Sequence, residues 1–150
     1  MKRFEKLQDL QALVGQELGH SDWFRVDQAR IDAFAQATGD HQWIHLDPVR
    51  AAQGPFGSTV AHGFLTLSLL PVIIQSTLSF GETRMSVNYG LNRVRFPAPL
   101  RSNTDIRGTI SLHSYEALPD GVQLVLDVTV QTREGGKPVC VAQQVVRLYR

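Results

Sequence analysis

The spacing of the apolar residues predicts helices in the first half of the chain. Between residues 26 and 38 the apolar positions recur after three and four residues, as on one face of a helix. Asp27 stands where an N-cap is expected, and Gly39 where a C-cap is expected. Asp47 and Pro48 have the pattern of an N-cap followed by the first helical residue. The sequence therefore predicts two short helices, with a polar loop between them.

Residues 61–77 are apolar on nearly every side. Such a helix has no face polar enough for water, so other structure must surround it. Pro71 lies inside this stretch, removes one backbone hydrogen bond and predicts a kink. We therefore expect a buried central helix whose axis changes near Pro71.

Beyond residue 82 apolar and polar residues alternate, which is the period of a β-strand with one buried face. Turn sequences at residues 119–121 and 134–137 separate consecutive strands. Near the start of this region the apolar residues shift from odd to even positions, which predicts a β-bulge between Gly90 and Arg93. This half of the chain is typical of antiparallel strands.

Length and composition indicate one globular domain. The chain has 150 residues, of which 43% are hydrophobic and 19% are charged, as in ordinary folded proteins. A buried helix followed by antiparallel strands favours an α+β class in which the sheet covers the helix. We therefore expect residues 1–150 to form a single α+β domain, an antiparallel sheet wrapped around a long central helix.

Charge and cysteine content exclude several classes of partner. The net charge is +1, which provides no basic surface for nucleic acid or an anionic membrane. Cys140 is the only cysteine, so neither an internal disulfide nor a cysteine zinc site can form. No apolar run reaches the roughly 20 residues that cross a bilayer, and the start has no signal-peptide pattern. We expect a cytoplasmic protein without a nucleic-acid or membrane partner.

Residues 37–48 contain the polar cluster best suited to chemistry. A carboxylate and an imidazole, here Asp40 and His45, can together take a proton from water and return one elsewhere. Ordinary explanations also exist, because aspartate is common in turns and loop histidines often serve only as hydrogen-bonding groups. A metal site of Asp40, His41, His45 and His62 is another interpretation, although an irregular loop fixes no common face for these side chains.

A second candidate is the start of the central helix at Gly63. The first turn of a helix leaves amide hydrogens unpaired and carries a partial positive charge. The Gly63 amide can therefore hold a developing oxyanion, and glycine permits close approach. The alternative is that packing requires a small residue there. Motifs of phosphate loops, zincins and nucleophile-elbow hydrolases are absent.

Three segments together resemble the MaoC-like dehydratases, specifically the (R)-specific enoyl-CoA hydratases and their NodN-like branch. They read ATGDHQWIHLDP at 37–48, GPFGSTVAHGFLTLSLLP at 54–71 and NYGLNRVRFPAP at 88–99. The resemblance covers residues 24–100 by motif and the rest by strand pattern. It implies the hot-dog fold, which agrees with the architecture predicted from periodicity.

The resemblance also implies the reaction and its residues. The family hydrates a trans-2-enoyl-CoA reversibly to an (R)-3-hydroxyacyl-CoA and carries its catalytic pair in a D-x-N-P-x-H element. Carried over to this chain, the pair is Asp40 and His45. The Gly63 amide then polarises the thioester carbonyl, and His62 beside it is assigned to the same oxyanion and substrate-binding region.

Two positions depart from the family element. Gln42 and Trp43 replace its asparagine and proline, a pairing typical of the NodN-like branch, which bears on acyl-chain preference more than on chemistry. No metal and no resident cofactor are implied, because CoA enters as part of the substrate. Arg93, Arg95 or Arg101 can meet the CoA phosphates, although surface arginines are commonly only solvated.

We also expect a homodimer. A sheet wrapped around one helix leaves two edge strands, which must be paired, covered or blunted. Related hot-dog proteins join two sheets into one layer with the CoA tunnel at the subunit junction. Two other functions remain open on the same fold, a hot-dog acyl-CoA thioesterase and a non-catalytic acyl-CoA-binding module.

Overall fold

The computed structural model describes all 150 residues, with eight strands, five short α-helices and one 3-10 helix. The strands are β1 Lys2–Phe4, β2 Glu17–His20, β3 Phe24–Val26, β4 Leu78–Phe80, β5 Met85–Arg95, β6 Thr104–Leu118, β7 Gly121–Thr132 and β8 Cys140–Tyr149. The helices are α1 Gln28–Thr38, α2 Trp43–Leu46, α3 Pro48–Ala52, α4 Gly63–Ser68 and α5 Leu70–Thr77, and the 3-10 helix is Leu7–Leu13. None of the helices combines the length and hydrophobicity that a membrane span requires.

Six strands form one antiparallel sheet in the order β2-β6-β7-β8-β5, with β3 also paired to β6. The long strands β6, β7 and β8 turn their apolar positions to the core, where Ile110, Leu126 and Val146 are buried. This confirms the predicted α+β class and the antiparallel sheet. A separate parallel pair, β1 with β4, was not predicted.

The central helix is present as α4 and α5, which meet at Leu69, two residues before Pro71. The interruption that the proline predicted is therefore confirmed. The helix begins at Gly63 rather than at Ala61, because Val60 and Ala61 bond their amides to other segments of the chain. The Val60 amide donates to the Ile44 carbonyl at 3.0 Å, and the Ala61 amide donates to the Leu100 carbonyl at 2.7 Å.

The predicted caps around the site are also confirmed. The Asp27 carboxylate accepts from the Arg30 amide at 2.9 Å and caps α1. Gly39 ends α1 with a φ of 79°, in the left-handed region that favours glycine. Asp47 accepts from the Arg50 amide at 3.0 Å and caps α3. The polar loop between these helices contains one further turn of helix, α2, which the sequence did not predict.

The predicted β-bulge in β5 is confirmed, since the register with β8 shifts between Leu91 and Arg93. A second shift occurs between Asn88 and Gly90 of the same strand. Because β5 pairs only with β8, it is an edge strand of the sheet. The bulges therefore bend the edge that runs beside the central helix.

Gly108 of β6 lets the central helix approach the sheet closely. A Cβ atom at this position would overlap Cγ2 of Ile73 in α5. We expect Gly108→Ala to lower the free energy of unfolding by about 1–3 kcal/mol, because the added methyl overpacks the core. Urea denaturation midpoints measure this loss.

Gly90→Ala is the matched control, since Gly90 is also a strand glycine but has no atom within 4 Å of its built Cβ. We expect it to change stability by no more than about 0.5 kcal/mol. Equal midpoints for the two alanine variants would contradict the close approach of the helix at Gly108.

Candidate active site

Asp40, His45 and His62 meet where the polar loop contacts the start of α4. One side-chain atom of each residue, a ring nitrogen of the histidines and a carboxylate oxygen of Asp40, lies within 4.8 Å of the corresponding atoms of the other two. The two histidines are buried, whereas Asp40 is exposed. Asp40 directly follows the C-cap glycine of α1, and His45 lies on the single turn of α2. The structure thus brings together the acid and the imidazole that the sequence predicted as a pair.

A hydrogen bond fixes the tautomer of His45. Its Nδ1 lies 2.7 Å from the Val60 carbonyl oxygen. Because a carbonyl can only accept, Nδ1 carries the proton and Nε2 of the neutral ring keeps a free lone pair. The ring is therefore oriented as a base with one nitrogen available.

The side chain of Gln28 bonds the backbone of α2 and is itself held by Thr59. Gln28 of α1 donates from Nε2 to the His45 carbonyl at 2.7 Å, and its Oε1 accepts from the Thr59 hydroxyl at 2.6 Å. Sequence reasoning missed both residues. Gln28 and Thr59 are 31 positions apart, and no periodic pattern marks an isolated polar bridge of this kind.

Burial lowers the pKa of His45, because a charged imidazolium is poorly solvated in this position. The hydrogen bond to Val60 and the nearby Asp40 carboxylate act in the opposite direction, while the neighbouring His62 ring lowers the pKa further. The net result is a lowered pKa. His45 is therefore kept neutral at pH values where an ordinary histidine begins to protonate.

His62 connects both members of the pair. Its Nε2 donates to the Asp40 main-chain carbonyl at 3.0 Å, and its ring stacks on His45 with a centroid distance of 3.8 Å. The Phe34 ring packs against His62 at 4.9 Å. Nδ1 of His62 is buried and has no hydrogen-bond partner. His62 therefore connects the Asp40 main chain to the His45 ring, a link that the sequence did not indicate.

The arrangement suits proton transfer better than a metal ion. The His45 and His62 ring planes are inclined by only 22°, so their in-plane lone pairs run side by side rather than toward one point. A zinc ion needs its nitrogen ligands to converge at about 2.0–2.1 Å. His41, which the metal interpretation included, is exposed and is not part of this group.

Gly63, the first residue of α4, satisfies both of the explanations considered for it. A Cβ atom here would lie 2.9 Å from the Phe96 ring, so a close contact does require glycine. The Gly63 amide also has no acceptor within the chain. An unpaired amide at a helix start can donate to an oxyanion.

Arg93 and Arg95, considered for CoA binding, form no hydrogen bond or ion pair with Asp40, His45 or His62. Arg93 and Arg95 occupy exposed positions of β5. Arg95 donates to the Val94 carbonyl next to it at 2.6 Å, and neither arginine forms an ion pair. A role in CoA binding stays a prediction.

An exposed carboxylate and a buried imidazole beside an unpaired helix-terminal amide, on a sheet that covers one helix, define the class of site: a proton-transfer site with a hydrogen-bond donor for developing negative charge. Residues 9–133 match the family model described as a MaoC-like domain. The chain is 48% identical over 148 residues to 3-hydroxyacyl-thioester dehydratase Z of Mycobacterium tuberculosis strain H37Rv, covering 98% of each protein.

Two further comparisons agree. The chain is 45% identical over 139 residues to Nodulation protein N of Rhizobium meliloti strain 1021, covering 91% of this chain and 86% of that protein. The solved structure of an unliganded (R)-hydratase of Pseudomonas aeruginosa superposes with a TM-score of 0.74 at 23% identity, covering 91% and 82% of the two chains. The protein belongs to the MaoC-like dehydratases and is an enzyme of the hydro-lyase class. The predicted family and hot-dog fold are confirmed.

Proposed function

We propose that this enzyme adds water to trans-2-enoyl-CoA with (R) specificity, giving (R)-3-hydroxyacyl-CoA, and catalyses the reverse dehydration. The observation that carries the proposal is the orientation of His45: its Nδ1 is bonded to the Val60 carbonyl, which leaves its Nε2 free beside Asp40. A relative named as a 3-hydroxyacyl-thioester dehydratase supports the substrate class. CoA is part of the substrate, and the proposed chemistry needs neither a metal nor a resident cofactor.

The proposed reaction begins at C3 of the enoyl group, which the thioester makes electrophilic. His45 Nε2 takes a proton from water as the oxygen bonds to C3. Negative charge develops on the thioester oxygen, where the Gly63 amide donates to it. Losing one such donor typically raises the barrier by about 3–4 kcal/mol. Asp40 then delivers its proton to C2, which completes the addition.

The role of His45 follows from its surroundings. His45 has a lowered pKa and a tautomer that leaves Nε2 unprotonated, so it is assigned as the base that activates water. Asp40 is assigned as the acid, because it is the second group of the pair that can hold and transfer a proton. The proton moves from Asp40 to C2 and is replaced from His45 before the next turnover.

The thioester is proposed to lie against two aromatic rings near Gly63. Phe64 is 70% exposed and Phe96 is 40% exposed, and their rings meet edge to face at 6.4 Å. Such exposed aromatic surface beside a donor amide suits the flat, conjugated enoyl thioester. His62, adjacent to Gly63, is proposed to position the Asp40 loop at the same place, and Arg93 and Arg95 to meet the CoA phosphates.

The stereochemical outcome tests the proposal. Incubation with crotonyl-CoA should remove the absorbance of the conjugated enoyl thioester. Coupling the product to an (S)-specific 3-hydroxyacyl-CoA dehydrogenase should give little signal, whereas hydrolysis of the thioester should not occur. A strong (S) signal would contradict the proposal, release of free thiol would indicate a thioesterase, and binding without turnover would indicate a non-catalytic module.

The lowered pKa of His45 predicts the acid side of the pH profile. His45 must be neutral to accept a proton, so kcat/KM should fall as the pH drops through its pKa in the free enzyme. Because that pKa is lowered, we expect the midpoint of this fall below about 6.5, the usual value for histidine. A midpoint at or above that value would argue against His45 as the base.

A further inference from the structure

Gln28 is the first residue of α1, next to the Asp27 cap, and its amide group bonds three other groups. Its Nε2 donates to the His45 carbonyl at 2.7 Å and to the Asp32 carboxylate at 2.9 Å. Its Oε1 accepts from the Thr59 hydroxyl at 2.6 Å. A side-chain amide has two donor hydrogens and one acceptor oxygen, so both ends of Gln28 are in use.

The partners of Gln28 determine the direction of its amide. The His45 carbonyl and the Asp32 carboxylate only accept hydrogen bonds, so the NH₂ end of the amide must face them. The amide oxygen then faces Thr59, whose hydroxyl donates to it. Turning the amide over would break both bonds of the NH₂ end. The side chain therefore joins the backbone of α2 to Thr59 in one fixed orientation.

Thr59 connects Gln28 to the group that orients the His45 ring. Thr59 is 5% exposed and directly precedes Val60, whose carbonyl accepts from Nδ1 of His45 at 2.7 Å. The Val60 amide donates to the Ile44 carbonyl at 3.0 Å. Gln28 thus holds His45 directly by its main-chain carbonyl, and through Thr59 it also holds the segment that bonds the ring.

The short helix α2 depends on bonds of this kind. It has four residues, and the last four carbonyls of any helix have no partner inside that helix. A single helical turn is also not stable by itself, because nucleation of a helix is unfavourable. The Gln28 amide supplies a donor to one of these carbonyls, that of His45. The position of the imidazole therefore depends on a side chain that belongs to another helix.

We propose that Gln28, held by Thr59, is a positioning residue for the reaction: it keeps α2 and residues 59–60 in the arrangement that leaves Nε2 of His45 free to accept a proton. The inference rests on the proposed function for the role of His45. Without the Gln28 bonds α2 can move away from Val60, and the proton of the neutral ring can then lie on either nitrogen. A ring that is protonated at Nε2 cannot act as the base.

Gln28→Met removes the amide and keeps the length of the side chain. We expect it to lower kcat for the hydration of trans-2-enoyl-CoA by about 10- to 100-fold, as a small misplacement of a catalytic group does. KM should stay nearly unchanged, because Gln28 is not assigned a contact with the substrate. Gln36→Met is the matched control, since Gln36 is an exposed glutamine of the same helix, and it should keep wild-type rates.

Two substitutions of Thr59 separate its hydroxyl from its packing. Valine has the shape of threonine without the hydroxyl, so Thr59→Val should lower kcat as Gln28→Met does. Serine keeps the hydroxyl, so Thr59→Ser should retain most of the wild-type kcat. Because the two side chains act through one hydrogen bond, combining Gln28→Met with Thr59→Val should cost little more than the more damaging single substitution.

Nitrogen NMR of protein with isotope-labelled histidine shows which ring nitrogen of His45 carries the proton, and it needs no substrate. The spectrum of His45→Ala assigns the signals. We expect wild-type His45 to be protonated at Nδ1, whereas Gln28→Met should show both tautomers. Wild-type His45 protonated at Nε2, or one unchanged tautomer in Gln28→Met, would overturn the proposal.

The pH profile gives a second measurement that a merely structural role would not change. Loosening of α2 admits water to the His45 ring, and burial is the largest cause of its lowered pKa. Weaker bonding to Val60 acts in the opposite direction but is the smaller effect, and Asp40 and His62, which also act on this pKa, are not substituted. The acid limb of kcat/KM should therefore move to higher pH in Gln28→Met.

Wild-type kcat in a folded Gln28→Met variant would overturn the proposal, and so would equal kcat in Thr59→Ser and Thr59→Val. Circular dichroism shows whether Gln28→Met is folded, and the Thr59 pair decides the question if it is not. If the wild-type protein hydrates no enoyl-CoA, the proposed reaction fails. The tautomer comparison still tests the positioning by Gln28 in that case, so the two failures are distinguishable.

Discussion

Replacing Asp40 by asparagine is expected to lower kcat for enoyl-CoA hydration by about 100-fold or more, the contribution of a positioned acid–base group. Asparagine has nearly the same shape but cannot give up the proton that C2 requires. The Asp40 carboxylate is exposed and accepts only one weak bond, from the Gln42 amide at 3.3 Å, so the fold should be unchanged. Steady-state rates with the best enoyl-CoA measure the effect.

His45→Ala should reduce kcat by a similar factor, because it removes the base. Two controls separate catalysis from general damage. Asp120→Asn changes an exposed carboxylate in the turn between β6 and β7, and His41→Ala removes an exposed histidine four residues from His45. Both should keep wild-type rates. A folded Asp40 or His45 variant, judged by circular dichroism, with near-wild-type kcat would remove that residue from the mechanism.

The Asp40–His45 pair could be predicted because local chemistry determines where these residues lie. Gly39 ends α1 at a defined residue, and Asp47 caps the next helix, so the intervening loop is short and must place its side chains together. The family motif then selected two residues from that loop. The contacts of Gln28, Thr59 and His62 could not be predicted in this way, because each joins segments that are distant in sequence and follow no period.

The fold also has parts that could be predicted from the sequence and parts that could not. Long strands such as β6 and β7 carry a clear two-residue alternation, and the buried helix is apolar all round, so both could be predicted. The pair of β1 and β4 escaped prediction because each strand has three residues, too few for a period to show, and the two lie about half the chain apart. The turn α2 escaped because four residues give no helical pattern either.

Gln144 shows a signal that was present in the sequence but could not be interpreted there. The inward positions of β8 are otherwise apolar, with Cys140, Ala142, Val146 and Leu148 all buried. A polar residue in such a row is either exposed by a bulge or bonded inside the core. Only the structure shows that one end of its amide is bonded and the other is not.

We expect the protein to be a homodimer at micromolar concentration, joined through β5. This strand is a free edge of the sheet and runs for 11 residues. It carries exposed apolar side chains, with Met85, Tyr89 and Leu91 each between 44% and 58% exposed. The opposite edge is divided between the short strands β2 and β3, so it offers no long continuous edge for pairing with another chain. An open apolar edge of this length is a site of pairing.

Pairing two copies through β5 would extend one sheet across both and cover the aromatic surface near Gly63. We expect a two-fold symmetric interface that buries more than about 1,600 Å² in total. Light scattering should therefore give about twice the chain mass of 16.7 kDa. Sedimentation of the active enzyme at the mass of a single chain would contradict the dimer.

Tyr89→Asp should shift the mass toward that of one chain, because it removes an apolar side chain from the joined edge and places a carboxylate there, which must lose its water on pairing. Val14→Asp is the matched control, since Val14 is an exposed apolar residue beside β2 at the other edge, and it should leave the dimer intact. If the partner copy completes the substrate site, hydratase activity falls with the dimer fraction across a dilution series of Tyr89→Asp. Activity that stays constant per chain while the mass halves would mean that one chain holds the whole site, with the Gly63 aromatics open to solvent on one side.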